Sequence, residues 1–277
     1  MTQTTHTSYF DTSGAESVVS GNATVSLDLH GHVALISMLD AERHNAMTPT
    51  HVRAMVAAID SSQLKKARAL VITSGVKNFC AGADVVQLLQ GRVLEPGPKD
   101  PDAVTPLRLF RRLVEDTRPV ILAINGLALG GGMEMALSSD LVFAAPEARF
   151  AMPELGLGLL PRMALVRLCE VVGRRKAMEL ILTRRKFTAE HALQIGLLTD
   201  VIPAGELVAT AIRVASDIVT APPAVIAAVK KNLGRVAIDD WNAVEDLLKD
   251  MNPSEWQEGL SAFLEKRTPD FEQFWQR

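Results

Sequence analysis

The chain of 277 residues predicts an α/β fold, and three patterns carry that prediction. Residues 24–39, TVSLDLHGHVALISML, alternate with period two about His30-Gly31 and read as a two-stranded hairpin. Short apolar runs at 69–73, 120–124 and 141–144 then alternate with amphipathic stretches of helical length, the order that builds layered α/β domains. Two of those runs lead into small residues, NFCAGAD at 78–84 and NGLALGGG at 125–132, with helix-like sequence following at once.

Taken in order, residues 1–20 are rich in Ser and Thr, lack an apolar segment and hold Asp11 and Glu16 without a basic residue. They read as a disordered tail, neither secretory signal nor transit peptide. After the hairpin, residues 40–47 form a polar loop. Thr48 followed by Pro49 is an N-cap with proline at the first helical position, opening a helix to about Ile59. Residues 91–106 hold four prolines and two glycines and read as a long loop. Residues 107–114 resume a helix whose Arg108, Arg111, Arg112 and Glu115 form a solvated face. Past Pro161 the pattern turns helical at 162–172 and 175–182. A third helix, capped by Thr188, runs through Ile195, and a short strand at 198–201 ends at Pro203. Four helices are expected beyond, at 207–219, 223–233, 241–248 and 254–266. The organisation is thus a tail (1–20), a core (21–204) and a helical segment (205–277) that covers either the core or a neighbouring subunit.

Composition narrows the function classes. The chain is 48% apolar, and 29 basic against 32 acidic residues leave a formal charge of −3 with no long run of one sign. This balance offers nothing to nucleic acid or an anionic membrane. Cys80 and Cys169 are the only cysteines and form neither a disulfide framework nor zinc spacing, which suits a reducing cytoplasm. No stretch is long and apolar enough to span a bilayer.

The chemistry concentrates between Asn125 and Pro161. Glycines 126, 130, 131 and 132 let backbone approach a ligand closely, and the helix that follows aims unpaired N–H groups at negative charge. Glu134 lies among Met133, Met135, Ala136 and Leu137, and Glu154 among Phe150, Met152, Pro153, Leu155 and Leu157. Two carboxylates in apolar company beside a glycine turn point to acid/base chemistry next to a developing oxyanion. The structural alternatives are a capping role for Glu134, an exposed loop position for Glu154 and close packing for the glycines. Asn45 reads as a turn-fixing side chain, Met133 and Met135 as core, and Cys80 as a small packing residue. His44 and His191 lie in no motif that needs a base. Arg174, Arg175, Lys176, Arg184, Arg185 and Lys186 read as solvated charges. The glycines do not make the G-x-G-x-x-G spacing, and G-x-S-x-G is absent, so dinucleotide and serine-hydrolase readings fail.

His44 to Met47, Phe79 to Asp84, Asn125 to Glu154, Leu182-Thr183, Ala189 to Pro203 and Glu258 to Arg267 occur here in the order and spacing of one family. Over about residues 22–271 the chain resembles the crotonase, or enoyl-CoA hydratase/isomerase, superfamily. The resemblance implies a spiral of ββα turns with a C-terminal helical trimerisation segment, assembled as homotrimers or dimers of trimers. It implies an acyl-CoA thioester substrate and no cofactor beyond the coenzyme A which that substrate carries. By position, the amides of Ala83 and Gly131 are the oxyanion donors. Glu134 is the acid that activates water, and Glu154 the one that exchanges a proton with the α-carbon. Coenzyme A contacts fall to Arg43, Ala46, Ala81 and Asp84, and to Lys266 of a neighbouring subunit. Both acids together favour hydration of a trans-2-enoyl-CoA in fatty-acid β-oxidation chemistry. Isomerisation, other enolate chemistry and a catalytically silent CoA-binding member are the alternatives.

Two places depart from the family pattern. Arg162 stands where hydratases carry glycine, so it narrows the acyl pocket, pairs with Glu154 or greets an anionic acyl tail. Val85-Val86 replaces a stretch where the family places a phosphate-binding lysine.

Overall fold

The computed structural model describes residues 16–18, 24–89, 105–234 and 252–274. Its main sheet is built from β1 (Glu16–Val18), β2 (Val25–His30), β3 (Val33–Met38), β4 (Ala69–Ser74), β5 (Val120–Ile124), β7 (Leu141–Ala144) and β10 (Asp200–Val201), paired in that order. The first three strands pair antiparallel and the remainder run parallel from β3 onward. A second, three-stranded sheet joins β6 (Leu127–Leu129), β8 (Arg149–Ala151) and β9 (Phe187–Thr188).

Strand periodicity divides the main sheet into two faces. Ala34, Ile36, Met38, Leu70, Ile72, Leu122 and Ile124 enter one core with Val52, Met55 and Ile59 of helix α1 (Pro49–Ile59). Val33, Leu35, Ala69, Val71, Ile121 and Ala123 enter the other, under Leu207, Ala211 and Ala215 of a helix spanning Leu207–Ile218. The register keeps the faces aligned, with Leu35 opposite Val71 and Val71 opposite Ile121. Every residue of β3, β4 and β5 is therefore buried, as expected of parallel strands covered on both sides. This corrects the hairpin pattern for its second strand, which has no solvent face. β2, nearer the edge, keeps one.

The helices that frame the ligand space are α2 (Val85–Leu89), α3 (Pro106–Glu115), α4 (Gly131–Leu137), α5 (Arg162–Val172) and α6 (Arg174–Thr183). α7 (Ala189–Gln194) is capped by the Thr188 hydroxyl, which accepts from the His191 amide, and the Thr48 hydroxyl accepts from the His51 amide in the same way. α8 is the helix under the sheet, followed by α9 (Pro223–Gly234) and α10 (Pro253–Glu265). α10 crosses the 3-10 turn Glu154–Leu157 at backbone contact. A Cβ at Gly259 would lie 2.4 Å from the Leu157 carbonyl carbon, and one at Gly158 would lie 2.7 Å from Trp256 Cα. Leu260 packs there with Leu88 and Leu159.

Several sequence expectations need correction. Within the stretch read as a disordered tail, Glu16–Val18 adds a strand to the outer edge of β2, with Ser17 opposite Asp28. β6, β8 and β9 were not expected, because two or three residues are too few to display a period. The strand at 198–201 is confined to Asp200–Val201. The helix at 241–248 and most of the loop at 91–106 fall outside the described residues. No single described helix is long and apolar enough to cross a membrane.

Candidate active site

The loop before α1 is fixed from below by Asn45, which is fully buried. Its amide nitrogen donates to the Ser74 hydroxyl at 2.9 Å and to the Asn78 and Phe79 carbonyls at 3.0 Å, while its Oδ1 accepts from the Asp40 amide at 2.8 Å. The residue holds a positive φ of 54°, which asparagine tolerates better than most side chains. This network ties the loop to the turn at residues 78–84. The Ala81 amide donates to the His44 carbonyl at 3.0 Å, and the Met47 amide to the Gly82 carbonyl at 2.8 Å. The expected structural role of Asn45 is therefore met, and the stretches holding Arg43, Ala46, Ala81 and Asp84 form one surface.

That surface opens on a cavity of about 620 Å³. Met47, Ala81, Gly82, Ala83, Gly130, Gly131, Glu134, Glu154, Gly156 and Arg162 are among the residues that line it. The two glycine turns are pressed together, so that a Cβ on Gly82 would lie 3.6 Å from the Gly131 nitrogen. Among the described residues, the amides of Ala83 and Gly131 donate to no backbone carbonyl. Gly131 opens α4, where the first amides have no partner within the helix. The two predicted donors thus line one cavity with both predicted acids.

Gly130 is fixed by conformation and by space. Its φ of 51° and ψ of −114° suit glycine alone, and a Cβ there would sit 2.7 Å from Glu154 Oε1. The Glu154 carboxyl thereby rests directly on the backbone of the glycine turn. Glu154 is buried at 9% exposure, and its Oε2 has no hydrogen-bond partner among the described residues. Burial first, and the charge of Glu134 second, push its carboxyl up to about 8. Near neutral pH it is an acid holding its proton.

Glu134, half-buried on α4, has different company. Its Oε1 accepts from the Met163 amide at 2.7 Å at the start of α5. Loss of solvation raises its carboxyl above the ordinary range, while Arg162 and the amides of Met163 and Ala164 pull it back. Arg162 therefore bears on Glu134 and is absent from the charges that move Glu154.

The other predicted residues distribute as follows. Ala81 lines the cavity. Ala46 is buried beside it, Arg43 is exposed with Asp40 at 3.7 Å, and Asp84 caps α2 by accepting from the Gln87 amide at 3.0 Å. Lys266, expected at a neighbouring subunit's pocket, ends α10 three residues after Phe263, which lines the cavity of its own chain. The close Gly259 crossing holds that helix over its own core. Met133 and Met135 are buried in the core as expected. Cys80 is fully buried with its thiol pushed up to about 12, which suits packing and not nucleophilic attack. His191 lies within 3.0 Å of Arg185 and edge-on to Phe187.

Sequence reasoning missed two cavity residues. Arg184 and Lys186, read as solvated charges, both line the cavity mouth. Arg185 between them turns outward to Glu179 at 2.6 Å. What separates them is the left-handed cap at Arg184 and the capture of Arg185 by Glu179.

Comparisons with known proteins point to one family. Residues 28–276 match the family described as enoyl-CoA hydratase/isomerase. A short-chain-enoyl-CoA hydratase of Clostridium acetobutylicum is 34% identical over 251 residues, covering 88% of this chain and 95% of that protein. A 2,3-dehydroadipyl-CoA hydratase of Escherichia coli is 37% identical over 73% of this chain and 79% of its own length. Among solved structures, a carnitinyl-CoA hydratase from Mycobacterium avium superposes with a TM-score of 0.77 at 32% identity, covering 90% of this chain and 98% of that one.

Proposed function

Because the chain belongs to the enoyl-CoA hydratase/isomerase family, we propose that it adds water across the double bond of a trans-2-enoyl-CoA to give a 3-hydroxyacyl-CoA. The observation that carries this reading is that both acids line one cavity with Ala83 and Gly131, the Glu154 carboxyl resting on the glycine turn and Glu134 lying at the start of α5. Hydration needs both a base and an acid, in reach of one polarised thioester.

The thioester oxygen sits between the amides of Ala83 and Gly131, which stabilise the negative charge that gathers on it as the β-carbon is attacked. One such donor is typically worth ~10²–10³ in rate. Glu134 accepts a proton from water as the water oxygen bonds to the β-carbon. Glu154 gives its proton to the α-carbon as the enolate collapses. Atoms balance as one water added, and the acids end with their roles exchanged, so a proton must pass back before the next turnover. Coenzyme A lies along Arg43, Ala46, Ala81 and Asp84, with Lys266 of a neighbouring subunit adding to its contacts. We further assign the protein to a homotrimer or a dimer of trimers in the cytoplasm, working in fatty-acid β-oxidation chemistry.

The test is loss of enoyl-thioester absorbance on crotonyl-, hexenoyl- and decenoyl-CoA with the wild type and Glu154→Gln. The wild type is expected to hydrate at least one substrate, with kcat falling as pH rises through about 8, where Glu154 loses its proton. Glu154→Gln is expected to lose ~10²–10⁴ in kcat. Double-bond migration without water uptake would replace hydration by isomerisation, and thioester binding without turnover would indicate a silent CoA-binding protein.

A further inference from the structure

We propose that Arg184 and Lys186 form a subsite for a carboxylate at the distal end of the acyl chain, so that the preferred substrates are dicarboxylic 2-enoyl-CoA thioesters. The direction in which the acyl chain runs rests on the hydratase reading above.

The cavity has an order that can be followed through its glycines. Gly82 abuts Gly131, Gly130 abuts the Glu154 carboxyl, and Gly156 abuts the Arg184 guanidinium, where a Cβ would lie 3.2 Å from Nη1. The thioester oxygen belongs at the first of these contacts and the α-carbon at the second. On that reading the acyl chain beyond the double bond lies toward the third contact, at Arg184, and Lys186 lines the same cavity.

Their placement is specific. Arg184 is the C-cap of α6 in the left-handed conformation, φ 54° and ψ 14°, a position at which glycine is the usual residue. An arginine there accepts backbone strain, and its side chain lies over Gly156 at the cavity. In the extended stretch that follows, Arg185 points the other way and is consumed by Glu179 and His191, at 2.6 Å and 3.0 Å. Lys186 returns to the cavity side. Among the described residues, neither Arg184 nor Lys186 has a carboxylate within the 4.0 Å of an ion pair. Arg162, the cation that the sequence offered to an acidic tail, bears on Glu134 through its charge. Two cations therefore line a cavity whose Glu154, its carboxyl pushed up to about 8, holds its proton at pH 7. A planar guanidinium beside an ammonium suits a carboxylate, which the first can hold with two hydrogen bonds.

The experiment measures equilibrium binding of adipyl-CoA and hexanoyl-CoA, saturated thioesters that cannot be hydrated, to the full chain and to Arg184→Gly, Lys186→Ala and Arg185→Ala. Wild type is expected to prefer adipyl-CoA by about 5- to 10-fold, the range for a charge pair at a partly wet site. Arg184→Gly and Lys186→Ala are each expected to lose most of that preference, and Arg185→Ala to keep it. Arg184→Gly should also raise Tm, since glycine relieves the left-handed cap, so lost preference cannot be ascribed to misfolding. Equal weakening of both thioesters would overturn the proposal and give these cations to the coenzyme A phosphates. An unchanged preference in Arg184→Gly, or an equal loss in Arg185→Ala, would overturn it as well. Failure of the hydratase reading is seen separately, as no loss of enoyl absorbance while the adipyl-CoA preference stands.

Discussion

Glu134 and Glu154 are the same residue type in the same cavity, and their surroundings differ. Glu134 sits on a helix, accepts the Met163 amide at 2.7 Å and feels Arg162. Glu154 sits on a 3-10 turn, with one oxygen against Gly130 and the other without a partner. Donors and a cation stabilise the charged form at the first position. Burial and a neighbouring negative charge disfavour it at the second. The base and acid proposed for this pair would differ through what is placed beside each, and that placement depends on two short segments, Gly130–Gly131 and Arg162–Ala164.

The largest effect that would test this contrast is on stability against pH. The Glu154 carboxyl lies above the ordinary 4.5 in the folded protein, at about 8. Its share of stability is therefore fully present below about pH 4.5 and lost as pH rises through about 8, because the unfolded chain releases the proton first. Glu154→Gln, which stays neutral, should flatten that decline and be more stable than wild type at pH 8, by on the order of 3 kcal/mol. A parallel decline in thermal melts of both proteins would mean that Glu154 is not held neutral. Next comes Gly130→Ala, whose Cβ must move the Glu154 carboxyl. The expected loss is ~10² in kcat, since small misplacements of reacting groups cost that much. Retention of rate would show that the carboxyl does not work from this contact. Smallest is Arg162→Met. Removing the cation raises the Glu134 carboxyl further, so the acidic limb of kcat/KM should move to higher pH, with a loss within about tenfold at pH 7. An unmoved limb would separate Arg162 from the acid pair.

The parts of this structure that were legible in the sequence are those with a period. β2 to β5 and α1 declare themselves by alternation, by helical spacing and by the Thr48-Pro49 cap, and their observed bounds lie within a residue or two of expectation. The two glycine turns and both acids were legible by composition and by resemblance. What escaped was set by neighbours distant in sequence. Three-residue strands such as Leu127–Leu129 exist only because Arg149–Ala151 comes to lie beside them. No local pattern tells Arg184 from Arg185, since both are exposed arginines in one loop. The difference comes from the left-handed cap at Arg184 and from Glu179, six residues upstream of Arg185, which claims only one of them. Likewise Arg162 lines the cavity, but the acid expected beside it was Glu154, whereas its charge bears on Glu134, over which the start of α5 folds.

The interlocked glycines at Gly158 and Gly259 also give the cavity a history in time. The turn carrying Glu154 is backed by α10, and the residues of that helix are made roughly a hundred positions later in the chain. At translation speeds of about 5–20 residues per second, that is a delay of about 5–20 s. Through it, the sheet, both glycine turns and both acids already exist, while the support that fixes one acid does not. A growing chain would therefore hold all the catalytic side chains before it holds the catalyst.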